Sequence, residues 1–287
     1  MVKLSDSQFS LVIIIPIILL EVALTGYPIL SSLYTSLTNA TPLGAPFTGL
    51  ENYIRAFQDP AITQSITVSI LFVFVTVSLC IPASLALALL LNESFRGRRI
   101  VRSLVLLPWA TSEFASGVIW SIMLNSSYGV FNGLLYSLNI INKYQAWITQ
   151  DTALLVVSIA YIWHLAPFGA FLMLAALENI PREVYQQAKV DGASAFRRFR
   201  HITLAHIRYV LLIVLILVTM QSFSSFDVIY ALTTGGPGRA TTVLTWEAYV
   251  TQYNQMRYGY AAAISYILLV IVLAIAVIYF VILTRRK

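Results

Sequence analysis

Charge is what this chain of 287 residues has least of. Asp, Glu, Lys and Arg make up 10% of it, against about a quarter in an ordinary soluble domain. With 59% of its residues hydrophobic, that scarcity excludes a disordered chain, a coiled coil, a basic nucleic-acid-binding protein and almost any soluble enzyme. There is one cysteine, Cys80, inside an apolar run. It rules out a disulfide framework, and no Cys/His spacing suits zinc. The three histidines, His164, His201 and His206, form no metal or catalytic pattern. No glycine is followed by lysine, so the chain lacks the phosphate-cradling G-x-x-x-x-G-K-[ST] loop and is not expected to hydrolyse ATP. H-E-x-x-H and G-x-S-x-G are missing too. No metal, cofactor or catalytic residue is therefore assigned to the chain itself.

What is present is long apolar sequence. Lys and Arg are absent from 4–54, 56–95, 103–142, 144–181, 209–238 and 258–284, the shortest gap being 27 residues. A membrane-spanning helix needs about 20 mainly apolar residues, so each gap holds one. The expected fold is an all-α membrane protein of six spans, near 9–36, 62–91, 101–124, 152–177, 207–230 and 259–283. It forms a single transmembrane domain over 1–287. The apolar stretch beginning at Phe9 is too long for a cleaved signal peptide. Sorted by side, 14 basic residues fall with the N-terminus, the second and fourth connections and the tail (Lys3, Arg96, Arg98, Arg99, Arg102, Arg182, Lys189, Arg197, Arg198, Arg200, Arg208, Arg285, Arg286 and Lys287). Four fall opposite (Arg55, Lys143, Arg239 and Arg257). By the positive-inside rule both termini are cytoplasmic. The basic balance is then an orientation signal within a lipid bilayer, and nucleic acid is not needed as a partner. The longest connection, 178–206, has 29 residues, so no separate solute-capturing domain fits between spans.

Residues 178–206 (ENIPREVYQQAKVDGASAFRRFRHITLAH) read as helix–turn–helix. Asn179 and Pro181 suit a helix start, and Glu183 suits its first turn. Gly192 sits where that helix must end, because glycine accepts the left-handed C′ conformation without steric cost. Ser194 caps a second helix, on which Phe196, Phe199 and Ile202 recur on one face with Arg197, Arg198 and Arg200 between them. Two roles fit this pattern. One is an amphipathic loop on the membrane surface with snorkelling arginines. The other is a compact knob that passes motion from a cytoplasmic partner into the spans.

Gln186-Gln187-Ala188, Asp191-Gly192-Ala193 and Ile202-x-Leu204, in that spacing, resemble the "EAA…G…I-LP" loop of the membrane subunits of binding-protein-dependent ABC importers. Gln186 replaces the usual Glu, Gln187 an Ala, and Ala205 the Pro. Further resemblances follow along the chain: Gly49-Leu50-Glu51-Asn52-Tyr53, Leu107-Pro108-Trp109, Tyr128-Gly129-Val130-Phe131-Asn132, Thr234-Gly235-Gly236-Pro237 with Thr241-Thr242, and Tyr258-Gly259-Tyr260-Ala261-Ala262-Ala263. In this order they resemble the carbohydrate-uptake branch that moves maltodextrins, trehalose, other glycosides or glycerol-3-phosphate. The Gly-Gly-Pro loop is closer to the first of its two permease subunits. The resemblance implies the type I importer permease fold in a prokaryotic cytoplasmic membrane. It implies a second permease, two ATPase subunits carrying ATP and Mg, and an extracytoplasmic binding protein. It makes 183–200 a coupling lever, with Glu183, Gln186, Gln187, Ala188, Asp191, Gly192, Ala193, Phe196, Arg197 and Phe199 meeting the ATPase. With Gln186 in the Glu position, a contact to an ATPase arginine becomes a neutral hydrogen bond.

Ionisable groups in spans are costly and mark cavities or partners. Glu113 has Gly117 one turn on, which places a polar group beside room for a ligand; the other reading is a carboxyl bonded to a neighbouring helix. Tyr161, His164, Leu165 and Phe168 share a stripe of the fourth span, and Gln221, Ser222 and Ser225 one of the fifth. Aromatic faces stack on sugars, while hydroxyls, amides and imidazoles bond sugar hydroxyls. Together these outline a neutral substrate path, although each residue alone also suits helix packing. Asp227, with Gly235, Gly236 and Pro237, belongs either to an outer gate or to the backbone wiring of that loop. Glu21 is assigned to packing or to the membrane interface. An alternative function is ion-coupled secondary transport through Glu113 and Asp227; it leaves the Gly192 loop without a role.

Overall fold

The computed structural model describes residues 6–284. Lys3, Arg285, Arg286 and Lys287, which carry part of the expected charge bias, lie outside them. The helices are α1 (Asp6–Glu21), α2 (Tyr27–Ser36), α3 (Glu51–Gln58), α4 (Pro60–Asn92), α5 (Arg98–Ala110), α6 (Glu113–Met123) and α7 (Val130–Ser137). They continue as α8 (Ala153–Glu178), α9 (Arg182–Val190), α10 (Ala195–Arg198), α11 (Leu204–Ser224), α12 (Asp227–Leu232), α13 (Leu244–Tyr249) and α14 (Tyr258–Thr284). Five-residue π-turns, Val22–Gly26, Phe199–Thr203 and Val250–Asn254, follow α1, α10 and α13. Among the described residues there is no strand, only the isolated bridges Thr38–Phe47 and Thr41–Gly44.

Five helical stretches are long and apolar enough to cross a membrane: Ile14–Ser36, Pro60–Asn92, Ala153–Glu178, Ala195–Ser224 and Tyr258–Val281. The expected third span differs. It is two helices, α5 and α6, parted at Thr111–Ser112. Pro108 cannot donate to the turn before it, which weakens the helix there. Ser112 then turns extended, and its hydroxyl accepts from the Ala115 N–H at 3.1 Å, starting a new helix by an N-cap. The expected fifth span, 207–230, also differs. Its helix begins at Ala195, inside the connection, and stops at Ser224; Ser225 is extended and α12 starts afresh. Asn179 does not open α9. It closes α8, its amide donating to the Ala175 carbonyl at 2.9 Å, and Pro181 precedes α9 instead.

The described chain forms two compact units. One runs to Thr63 and takes in Glu247–Val270. Here the buried Asn52 amide donates to the Ser36 and Thr38 carbonyls at 3.0 and 2.7 Å, and Tyr53 bonds Ser36 at 2.6 Å. The carbonyls left open at the end of α2 are thus answered by α3. The Gly259 N–H reaches the Ala40 carbonyl at 3.2 Å, and a Cβ at Gly259 would collide with the Thr38 carbonyl. Glu21, exposed, accepts from Thr25 at 3.2 Å.

The other unit runs from Gln64 to Trp246 and resumes at Ile271. Its centre is α8, which buries Val157, Ala160, Leu165, Ala170, Met173 and Leu174. A Cβ on Gly169 would stand 2.7 Å from the Ser84 hydroxyl and 3.0 Å from Val214, so α4 and α11 approach α8 at close range there. Ser84 donates to the Ala166 carbonyl at 3.0 Å. Small residues at such crossings let apolar helices gain dispersion contact without a hydrophobic driving force. The Tyr128–Asn132 motif is structural too. Asn132, buried, donates to the Gln145 carbonyl at 2.9 Å and accepts the Trp147 indole N–H at 2.9 Å, which ties down the 125–151 connection.

Candidate functional site

The 178–206 connection builds an exposed knob. α9 ends at Val190 with Asp191 as its C-cap, and Gly192 takes φ +75°, a left-handed conformation that favours glycine. Ser194 accepts from the Arg197 N–H at 3.3 Å and starts the next helix. The two helices are pinned by Tyr185–Thr203 at 3.0 Å and by Arg198 donating to the Ala193 carbonyl. Glu183, Gln186, Gln187, Asp191, Gly192 and Arg197 are exposed, while Ala188, Ala193 and Phe199 are half-buried. Phe196 is 70% exposed, and Val190, not among the expected coupling residues, is 88% exposed. Val190 and Phe196 are thus two large apolar side chains left bare on this connection. At the knob's root Glu178 accepts from Arg98 at 2.9 Å and from Arg102, and both arginines also donate to the Leu91 carbonyl at 2.7 and 3.0 Å. The ends of α4, α5 and α8 thereby share one joint, which charge counting alone did not reveal.

The second cluster forms where α5/α6 and α11/α12 break. One Glu113 oxygen accepts the Ser225 hydroxyl at 2.6 Å and the Val228 N–H at 3.2 Å. It therefore answers an open N–H at the start of α12 from the first turn of α6. His164 Nδ1 meets the Pro108 carbonyl at 2.9 Å and Ser116 at 3.3 Å, so it answers the carbonyl at the break in the third span. Thr111 donates to that same carbonyl at 2.8 Å. Gly117 opens no space for a ligand, contrary to expectation: a Cβ there would lie 2.7 Å from Ala231 and 3.1 Å from the Val228 carbonyl, because α12 lies directly on α6.

The two polar stripes do not present single faces. Tyr161 and Leu165 are buried, Phe168 stacks on Trp109 at 5.3 Å, and His164 is half-buried. Gln221 is exposed, but Ser222 is buried and bonds its own Val218 carbonyl at 2.7 Å. Asp227 is exposed in the first turn of α12. Gly235 has φ +81°, and Gly236–Pro237 is cis. Thr241 and Thr242 donate to the Gly236 and Gly235 carbonyls at 2.9 Å each, so the Gly-Gly-Pro turn is wired by the threonines that follow it. Among the described residues no three His, Cys, Asp or Glu side chains converge on a metal site.

Helices long and apolar enough to cross a membrane, with two of the expected spans interrupted, make this the fold of an integral membrane protein. The family model described as "Binding-protein-dependent transport system inner membrane component" matches residues 80–286. The chain belongs to that family. It is 37% identical over 282 residues to the trehalose/maltose transport system permease protein MalF of Thermococcus litoralis, covering 96% of this chain and 94% of that one. It is 31% identical over 266 residues to the lactose transport system permease protein LacF of Rhizobium radiobacter, covering 91% and 89%. Its fold matches that of a bacterial ABC transporter involved in the import of the acidic polysaccharide alginate, with a TM-score of 0.86 and 21% identity over 97% of this chain and 96% of that one.

Proposed function

We propose that this chain is one of two permease subunits of an ATP-driven importer, moving a sugar, polyol or glycoside handed over by an extracytoplasmic binding protein. The whole chain serves as one permease domain in a prokaryotic cytoplasmic membrane, with both termini inside. ATP and Mg belong to two separate ATPase subunits. Support for a sugar comes from relatives named for trehalose, maltose and lactose. A further fold neighbour is an alginate transporter in complex with a pentasaccharide-bound periplasmic protein. The observation that carries the coupling role is the bare apolar tip of the knob, Val190 and Phe196, on helices pinned at their base.

In this reading α9 and the start of α10 seat in a cleft of the ATPase, with Glu183, Gln186, Gln187, Asp191 and Arg197 as its polar rim. The two helix breaks lie at the passage through the membrane. Phe168, Gln221 and His164 meet the solute, and Tyr161, Leu165, Ser222, Ser225 and Glu113 form the wall behind them. Gly235, Gly236 and Pro237, with Asp227, edge the outer mouth. The test is co-production with the ATPase: V190D/F196D, or deletion of 186–199, abolishes co-purification. Normal co-purification refutes the coupling assignment. Uptake that survives ATP depletion and dies with an uncoupler would favour ion coupling through Glu113 and Asp227. Glu113 is instead engaged by Ser225 and Val228.

A further inference from the structure

Two spaces of opposite character lie on α4, α5 and α8 at the root of the knob. One is a polar crevice of about 240 Å³, lined by Asn92, Arg98, Glu178, Arg182 and Tyr185 among others. The other is an apolar groove of about 550 Å³, with Ala83, Leu87, Val101, Leu104, Trp163 and Ala166 among its walls. Along α5 the groove begins at Val101, roughly 4.5 Å past Arg98, and reaches Pro108 about 10 Å deeper in the span. Leu104 and Trp163 are 57% and 38% exposed, so the groove is open along its side.

The charge at the crevice is positive. Arg98 and Arg102 share a single Glu178 oxygen, so the joint keeps one uncompensated cation, and Arg182 brings another to the same crevice. The buried Arg102 Nε has no hydrogen-bond partner among the described residues, although buried donors are seldom left unanswered. α5 starts after Gly97, at φ +84°, with no side chain capping its open N–H groups. Just before it the exposed Arg96 and Arg99 alternate with Phe95 and Ile100, which are 39% and 67% exposed; Glu93 is the acid of that connection. Bare apolar and basic side chains interleaved at the end of a span suit the level of lipid headgroups.

We propose that crevice and groove together hold one anionic phospholipid, its phosphate accepting from Arg98 and Arg182 and one acyl chain lying along the groove. A guanidinium matches phosphate oxygens in a fork, and basic pockets between membrane helices take anionic headgroups. An acyl chain gains little by leaving other chains for an apolar groove. The groove therefore sets the position of the lipid, and the crevice sets the preference for an anionic lipid over a zwitterionic one. Arg98 stands on α5 and Arg182 on α9, so the bound headgroup bridges the knob to the third span. The inference rests on the membrane placement of the knob in the reading above and is independent of the solute.

The experiment uses the complete importer, co-purified and delipidated in mild detergent, and reads lipid binding by native mass spectrometry. The probes are phosphatidylglycerol, phosphatidylcholine and inorganic phosphate. Phosphatidylglycerol is expected to bind about tenfold more tightly than phosphatidylcholine. Arg182→Ala and Arg98→Gln are each expected to weaken phosphatidylglycerol about fivefold and to leave phosphatidylcholine unchanged. Leu104→Trp, which fills the groove, weakens both lipids alike. Arg55→Ala, on the opposite side, changes neither, and inorganic phosphate in large excess does not displace phosphatidylglycerol. Equal binding of the two lipids, or unaltered phosphatidylglycerol binding in Arg182→Ala, overturns the site; Arg182→Ala decides this even where Arg98→Gln, which also breaks the Glu178 joint, fails to assemble. An equal loss in Arg55→Ala makes the effect one of general charge and overturns it. Unchanged binding of both lipids in Leu104→Trp, or displacement by inorganic phosphate, leaves a soluble-anion site and overturns the lipid. Loss of the second permease from Leu104→Trp makes the groove a subunit interface and overturns it as well. Selective phosphatidylglycerol binding by an importer that takes up no sugar supports this inference and removes the sugar reading alone.

Discussion

Replacing Glu113 with alanine strands two donors in a packed crossing, and the cost can be worked from their surroundings. The Ser225 hydroxyl loses its acceptor at 2.6 Å, but a hydroxyl rotates to suit its surroundings, so the cost is worked from the backbone donor alone. The Val228 N–H is fully buried and is held by the Glu113 oxygen. Stranding one buried donor costs about 1–3 kcal/mol. With about 1.4 kcal/mol per factor of ten, local opening of α12 should become about 5- to 150-fold more frequent in Glu113→Ala. Hydrogen exchange of the peptide spanning 226–232, followed by mass spectrometry on the detergent-solubilised protein, reads that number directly. Glu113→Gln keeps an oxygen acceptor in place and should show a much smaller change. If Glu113→Ala leaves exchange at 226–232 as it was but removes solute recognition, Glu113 is a ligand and not the tie between α6 and α12.

Gly117→Ala should accelerate exchange in the same peptide, because its Cβ would lie 2.7 Å from Ala231 and overpacking costs about 1–3 kcal/mol; no acceleration would mean α12 does not pack there. Glu178→Gln removes an ion pair whose carboxylate is 45% exposed, so it should change thermal stability by no more than about 1 kcal/mol while lowering solute-stimulated ATPase activity in the assembled importer. Unchanged stimulation would show that the joint with Arg98 and Arg102 carries no motion. Asn132→Ala should open the 125–151 connection to limited proteolysis, since the Trp147 indole and the Gln145 carbonyl lose their partner; an uncut connection would put the anchor elsewhere.

The apolar stretches and the knob were legible because their causes are local in sequence. A K/R-free run longer than a bilayer is thick needs no tertiary knowledge, and neither does a glycine where a helix must turn back. The breaks were less legible. Pro108 and Ser112 are a readable stop and start, but apolar periodicity runs straight through them and outweighed the signal. The substrate stripes failed as single faces for a different reason. Helical spacing says which residues share a side, not what covers it, and Tyr161, Leu165 and Ser222 turned out to be covered. The ring contacts of Phe114, Tyr230 and Trp246 could not be read at all, because these residues belong to three separate helices and meet only in the fold.

Ala205 stands where the resembling loop has proline, and the helix passes through it without interruption from Ala195 to Ser224. Thirty residues at 1.5 Å each make a rod of roughly 45 Å. One end carries Phe196, and Ser225, bonded to Glu113, follows directly after the other. Tilting such a rod by about 5° about one end displaces the other by roughly 4 Å, more than the length of any hydrogen bond there. The geometry is that of a crank with no wrist: the π-turn at Phe199–Thr203 is the one place along it where the winding departs from a plain α-helix. In the proposed coupling, a push on the knob would therefore also move the far break, and Ala205→Pro would place a helix-weakening residue on that rod.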